Sequence, residues 1–380
     1  MMSMSDRSRF EVIIVGAGIA GASLAHFLAE RGLTDVLILE RETQPGYHAT
    51  GRSAASLVEL DPNLTVQGLK VLGGRFLRNP PAGFCENPVL LQSAIMVLFR
   101  EPMPQVMRNS ISNLERLGSR FEVLSASAVV AKVPELLPNS FGGAVLLPED
   151  GRIDVHELLS SYLRHARKRG VTLRLGAEVR GLRIERDRCG GVITQDGEIH
   201  ARWVVDAAGA WAGKVSNLIG AAPIKLEPRC RTIITFAGPD GIDISRWPFV
   251  ISDADHLYFA PESGGMLLSP MDEVPFEPCD PRPDDLIIAQ ALQRLSALAP
   301  RLVPRSIQRK WAGLRTFAPD GVAVVGEDPM VKGFFWLAGQ AGYGIETSPA
   351  IGQIAADLIV RGKTDLFDQA ALAPSRFLKS

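Results

Sequence analysis

The stretch Phe10–Arg41, FEVIIVGAGIAGASLAHFLAERGLTDVLILER, decides the fold. Its apolar run Val12–Val15 reads as a strand entering the pattern Gly16-x-Gly18-x-x-Gly21; a helical segment follows to Arg31, Gly32 closes it, and a second apolar run, Val36–Leu39, ends in Glu40. These pieces make a complete βαβ unit. Each glycine has a mechanical role, with a tight turn at Gly16, room for backbone to approach a pyrophosphate at Gly18, and close helix–strand packing at Gly21. The helix N-terminus offers free N–H groups and the positive end of its dipole to phosphates. Glu40 follows the last glycine at the spacing where a carboxylate accepts the two hydroxyls of an adenosine ribose. A bound dinucleotide is expected, and these residues alone leave NAD and FAD both open.

Working outward, 380 residues with 46% hydrophobic content can bury a large core and are read as two interleaved domains. A net charge of −1 leaves no electrostatic footprint for nucleic acid, and the basic run His165–Arg169 reads as the solvated end of a helix. No apolar run approaches the roughly 18 residues needed to span a bilayer, and Met1–Arg9 lacks the apolar core of a signal peptide. A cytoplasmic protein is expected, with peripheral membrane contact left open and the oligomeric state not legible. Cys85, Cys189, Cys230 and Cys279 form no Cys-x-x-Cys pair, so free thiols are expected, with neither a metal site nor a disulfide framework.

The loop Arg41–Ala55 is rich in turn formers, able to carry function, and resolves into small residues able to begin a helix. Prolines then interrupt short apolar runs, and a second domain is expected to start near Phe84. Asp154 opens a helix with Glu157 as a capping box, an apolar face of Val155, Leu158, Leu159, Tyr162 and Leu163, and a stop at Gly170. Short strand-like runs lead to Trp203–Trp211, where Ala207-Ala208-Gly209 lets backbone return close to a dinucleotide. Strand patterning resumes at Thr232–Phe236 and His256–Ala260, followed by a helix over Asp284–Ala299. Arg229, Arg231 and Arg315 fall in this region, and their pattern leaves surface roles and substrate binding both open. The segment Gly333–Ser348 runs through Gly339, Gly342 and Gly344 into a helix expected to begin at a Ser348-Pro349 cap and to end at Gly362. Such a glycine turn feeding a helix N-terminus stabilises negative charge. The division expected is an α/β domain over 1–83, 149–222 and 320–380, interleaved with an α+β domain over 84–148 and 223–319.

Taken in order, VIIVGAGIAGAS, LERETQPGYHATGRSAA, NPPAGFCENP, VVDAAGAWA, WAGLRTFAPDG and GFFWLAGQAGYGIETS resemble the glycine oxidase and D-amino acid dehydrogenase branch of the D-amino acid oxidase superfamily of flavoproteins. The resemblance runs from Phe10 to the C-terminus, and the second and last stretches are most similar to the D-arginine dehydrogenases. It implies non-covalent FAD in a Rossmann-like domain, an antiparallel-sheet substrate domain, and the flavin ring at their junction. Gly16, Gly18, Gly21, Glu40 and Arg41 match ADP-binding positions. His48, Thr50, Gly51, Arg52, Ser53 and Ala54 match the loop over the pyrophosphate and flavin, although His48 reads equally as a hydrogen-bonded loop histidine. Gly342, Tyr343, Gly344, Ile345 and Thr347 match the segment facing the flavin pyrimidine edge. Ile19, Ala20, Val179, Ala208, Gly209, Trp211, Gly313, Arg315 and Glu346 complete the expected cofactor contacts.

The resemblance also implies that Arg231 and Arg315 hold a substrate carboxylate with help from Tyr258, next to Gly342 and Tyr343; Tyr343 reads equally as packing. Bidentate guanidinium–carboxylate pairing would fix orientation as well as charge. Ser56, Val58, Ile95 and Glu346 are the expected pocket residues. Ile95 stands where D-arginine dehydrogenases have an acid, and a buried cation beside it would lack a counter-charge. An uncharged or apolar substrate side chain is therefore expected, unless Glu346, Glu59 or Asp61 supplies an acidic contact. Gly265–Ser269 has no lysine of the kind that promotes oxygen reaction in relatives, and Ala312–Thr316 has no cysteine to tether FAD. The expected reaction is oxidative deamination of a D-amino acid by hydride transfer from Cα to flavin N5, with electrons passing to a quinone and O2 left open. The rivals are oxidation of a secondary amino acid or 2-hydroxy acid, and a flavoprotein subunit of a larger redox complex.

Overall fold

The computed structural model describes residues 8–378. Strands Arg9–Val15 and Val36–Leu39 run parallel in the register Val12 to Val36, and Gly197–Asp206 flanks the other side of the first strand with Ile14 opposite Val205. Val12, Ile13, Ile14, Leu37 and Ile38 are fully buried because both faces of this parallel core are covered. Thr172–Arg174 extends the sheet beyond Val36–Leu39, while Phe334–Ala338 and then Val324–Glu327 extend it beyond Asp206. The hairpin Val179–Glu185 and Arg188–Thr194 joins the first half of Gly197–Asp206, giving eight strands. Helices Ile19–Glu30, Val155–Lys168 and Gly344–Arg361 pack through one shared apolar core, which includes Leu24, Leu28, Tyr162 and Ile354.

A second sheet of ten strands orders Gln340–Ala341, Arg309–Phe317, Glu227–Ala237, Gly265–Ser269, Leu257–Glu262, Phe249–Ser252, Ile95–Phe99, Gly143–Leu147 and Glu122–Ser125, with Val274–Pro275 beside Glu227–Ala237. Its pairings are antiparallel except where Phe249–Ser252 runs parallel to Ile95–Phe99. The chain passes from the first sheet to the second at Gly339, whose φ of +73° makes the turn between Phe334–Ala338 and Gln340–Ala341. That crossing sets Gly342 and Tyr343 between the sheets. The expected α/β plus α+β architecture is the one observed.

Three local expectations differ. The closing helix begins at Gly344, and Pro349 falls in its second turn, where its missing N–H leaves the Ile345 carbonyl without its i+4 donor. The small residues before Ala55 start no helix: Ala55 has φ +42°, and its carbonyl accepts from Ile153 as the chain enters the strand Ser56–Leu57. Asp154 does cap its helix by accepting from Glu157 N (2.9 Å), but the Glu157 carboxylate turns away to accept from Glu86 N and Asn87 Nδ2.

Asp206, at the end of its strand, is fully buried; Oδ1 accepts from Ala208 N (3.1 Å), and Oδ2 has no partner. Burial pushes its pKa up to about 8, against the opposing effect of the Ala208 N–H. The folded chain therefore binds this proton more tightly than the unfolded chain, so its stability contribution is full below the ordinary carboxylate range and is lost as pH rises toward about 8. Asp206→Asn keeps the acceptor and cannot ionise. Its stabilising effect is expected to grow to the order of 1–3 kcal/mol with rising pH; thermal melts showing an equal change in acid and at mildly alkaline pH would count against this.

Candidate active site at the junction of the two sheets

The glycine turn forms a cradle. Gly16 has φ +108°, and a Cβ there would lie 2.6 Å from the Ala207 carbonyl oxygen; a Cβ on Gly21 would collide with the Gly16 carbonyl oxygen. Helix Ile19–Glu30 starts at Gly18 with no side-chain cap on the helix N–H groups from that residue and no acid in its first turn, while Ile19 N donates to Thr50 Oγ1 (3.1 Å). Glu40 accepts from Ala17 N (2.9 Å) and Glu42 N (3.0 Å), which fixes its carboxylate beside the turn. A cleft of about 660 Å³ follows, lined by Gly16, Gly18, Glu40, Arg41, His48, Val179, Ala208 and Trp211 among others. The Arg41 guanidinium lies 3.8 Å from the Trp211 ring centroid. His48 Nε2 sits 2.8 Å from Glu42 Oε1 and 3.1 Å from Arg41 Nη2, and Nδ1 is buried without a partner. The His48 hydrogen bond, with further help from Arg41, lowers the Glu42 pKa.

A narrower space of about 130 Å³ shares Gly18, Thr50 and Arg52 with this cleft and Ser53, Ala54, Arg315, Gly342 and Ile345 with the next cavity. Ile19, Ala20, Gly209, Gly313 and Gly344 also line it. A groove thus runs from the first glycine turn to a second helix N-terminus at Gly344, which likewise lacks a side-chain cap. The glycine cradle, two helix N-termini without a cap from their own N-cap residue, Glu40 and the unpartnered His48 nitrogen fit an elongated dinucleotide such as FAD. Among the expected cofactor residues, three line none of these spaces. Gly21 packs against the turn, Gly51 is exposed with its N–H given to Gly46 O, and Thr347 is buried with Oγ1 donating to Tyr343 O.

The third cavity, of about 610 Å³, lies at the far end. Arg231 and Arg315 come from adjacent strands, where Arg231 pairs with Gly313 and Arg229 with Arg315; this diagonal sets the two guanidinium groups toward one cavity. Arg231 is 5% exposed, and donates through Nε to Asp272 O (2.8 Å) and through Nη2 to Glu273 Oε1 (2.7 Å). Burial first, and then the Arg315 charge, lower its pKa to about 10. The Arg315 side chain makes no hydrogen bond or ion pair among the described residues; its guanidinium rests on Gly342, where a Cβ would lie 2.6 Å from Nη1. Tyr258 Oη is buried and has no partner. Polar groups left in this state near a cavity call for a ligand, and guanidinium plus phenol matches a carboxylate.

The same cavity holds a group that sequence reading missed. Lys70 Nζ pairs with Asp61 Oδ2 (2.9 Å) and Glu346 Oε1 (3.2 Å), and Glu346 Oε2 accepts from Val58 N (2.7 Å). Burial acts to lower the Lys70 pKa, but the charges of Glu346 and Asp61 outweigh it and keep the lysine protonated. Lys70 lies on helix Leu64–Arg78 within the buried series Val66, Leu69, Gly73 and Leu77. A lysine on an apolar stripe was the signal available in the sequence.

Ser56, Val58, Asp61, Tyr343, Ile345 and Glu346 line this cavity, with Tyr343 Oη donating to Gly321 O (2.8 Å). Ile95 does not line it: it is wholly buried in the core between Phe249 and Leu147, and Val97, two residues along the same face, is at the wall. Glu59 is also elsewhere, paired with Arg78 (2.7 Å) beside Asp150. The four cysteines are free, and the described residues contain neither a helix long and apolar enough to cross a membrane nor a cluster suited to a metal ion.

Comparison with known proteins agrees with this architecture. Glycine oxidase from Geobacillus kaustophilus is 26% identical, over 97% of this chain and 98% of its own length. Dimethylglycine dehydrogenase from Mus musculus is also 26% identical, over 98% of this chain but only 45% of that longer protein. The solved structure of L-proline dehydrogenase from P. horikoshii superposes with a TM-score of 0.87 at 23% identity, covering 98% of each chain, and so shares the fold. The family model for FAD dependent oxidoreductases matches residues 11–358, and with the cradle and groove it settles the assignment: the chain belongs to the DAO family of FAD-dependent oxidoreductases.

Proposed function

We propose that this enzyme oxidises the Cα–N bond of an α-amino carboxylate, and that the preferred substrate is a D-amino acid with an uncharged side chain. The observation that carries the reading is the convergence of unpartnered Arg315 and Tyr258 with Arg231 on a cavity continuous with the cofactor groove. The substrate carboxylate bridges Arg315 and Tyr258, while Arg231, held by Glu273, sets the electrostatic floor. Bound FAD supplies a hydride acceptor. Gly342 and Tyr343 shape the wall between the two: Gly342 leaves room for the Arg315 guanidinium, and Tyr343 is fixed by its bond to Gly321. We assign residues 1–83, 149–222 and 320–380 to an FAD-binding domain and 84–148 and 223–319 to a substrate-binding domain, with the cavity built from both, since Arg231, Tyr258 and Arg315 of the second share it with Asp61, Lys70 and Glu346 of the first. The lack of lysine on strand Gly265–Ser269 supports a quinone-type acceptor.

The second reading is oxidation of an N-substituted amino acid. It is favoured by similarity to dimethylglycine dehydrogenase and needs the same carboxylate contacts. Mixing the oxidised holoenzyme anaerobically with D-amino acids, L-amino acids, N-methyl amino acids and 2-hydroxy acids separates the readings. D-amino acids of uncharged side chain are expected to bleach the flavin fastest. Faster bleaching by N-methyl amino acids selects the second reading, and bleaching by hydroxy acids alone refutes both.

A further inference from the structure

We propose that Glu346, Lys70 and Asp61 form the route by which the substrate ammonium group loses its proton before Cα is oxidised. This inference rests on the amino-acid reading above. Loss of hydride from Cα requires the nitrogen lone pair, so an ammonium group must first be deprotonated. Gly342 bears the Arg315 guanidinium, and Glu346 lies four residues further on, in the first turn of the helix that begins at Gly344. A carboxylate held by Arg315 carries its amino group two bonds away, within the cavity that Glu346 also lines.

Three of the other ionisable groups facing the cavity are tied to partners of their own. Glu273 is paired with Arg231 and Arg229, Asp320 with Arg376, and Tyr343 donates to Gly321. Tyr258 and Arg315 face the carboxylate end, and Asp253 lines the cavity at its rim, where burial and then the Asp61 charge hold its carboxyl above the ordinary range against the opposing His256, Lys70 and Arg231 charges. Behind Glu346 lie Asp150, Glu59 and Arg78, joined to one another. Burial raises the Glu346 pKa to about 7, with the Lys70 charge opposing, which suits a base working near neutral pH.

In the transfer the ammonium N–H bond breaks, its electron pair stays on nitrogen, and the proton binds a Glu346 oxygen. Glu346 then passes a proton to Lys70 as Lys70 gives one of its own to Asp61. Lys70 ends as it began, Asp61 becomes neutral, and its partly exposed carboxyl returns the proton to solvent.

The test is anaerobic flavin reduction at saturating amino acid, followed across neutral and alkaline pH, in the wild type, Glu346→Gln and Asp61→Asn. Glutamine keeps an acceptor for Val58 N, so the wall is retained. Wild-type reduction is expected to rise with pH through about 7. Glu346→Gln should lose that limb, reduce its flavin about 100-fold more slowly at neutral pH, and recover at alkaline pH, where the amine in solution is already neutral. Asp61→Asn should show a weaker form of the same defect, and both variants should bind benzoate, a carboxylate with no amine, like the wild type. Unchanged rates and pH dependence in Glu346→Gln would overturn the proposal, as would slow reduction at every pH without alkaline recovery. If no amino acid reduces the wild-type flavin, the functional reading falls first and the relay with it.

Discussion

Arg315→Ala lowers kcat/KM for the amino acid by about 100-fold or more while leaving FAD content unchanged, because truncating one member of a buried charge pair costs roughly 2–5 kcal/mol. The direction follows from what Arg315 lacks. With no side-chain hydrogen-bond partner among the described residues, its donors are free for the ligand. Arg231 makes the contrast: it already donates to the Glu273 carboxylate and the Asp272 carbonyl, so its removal also breaks these internal bonds and mixes a structural loss with a binding loss. Steady-state kinetics beside the flavin absorbance of the purified variant check the expectation. Unaltered affinity for the substrate in Arg315→Ala would show that the carboxylate binds elsewhere.

The second large effect is at the cradle. Gly21→Ala drives a Cβ into the Gly16 carbonyl oxygen, a backbone atom that cannot swing away as a side chain would. Gly16 is itself confined by φ +108° and by the Ala207 carbonyl on its other side. Overpacking of this kind typically costs about 1–3 kcal/mol, and more where backbone must move. The variant is expected to purify without yellow colour and to melt earlier. Gly32→Ala is the control, since Gly32 has φ +80° with open space around it and risks only the left-handed penalty of roughly 1–2 kcal/mol. A Gly21→Ala protein with full FAD content would contradict the packing account.

The parts legible in the sequence were those whose chemistry is local. Gly16, Gly18 and Glu40 sit in one βαβ unit, so spacing alone carried their geometry, and the capped helix from Asp154 was equally local. Arg231, Tyr258 and Arg315 became legible through resemblance, because nothing within their own strands says which face meets a cavity. The failures were tertiary. Ile95 and Val97 lie on one strand face, and only the packing of Phe249 and Leu147 around Ile95 decides that Val97 is the one at the wall. Lys70 holds its charge in a buried place because Asp61 and Glu346 meet it, and only the fold brings Glu346 to it. Glu346 was visible as an odd acid, but its partner Lys70 lies far away in the chain.

The central claim is that the cavity beside the FAD groove selects substrates by a carboxylate. The most direct measurement is anaerobic reduction of the oxidised flavin by one reactive amino acid and by its carboxamide, which keeps the Cα–H and amine but removes the charge. Rapid bleaching by the acid and a rate lower by about 100-fold or more with the amide is the predicted result. Equal rates would contradict it.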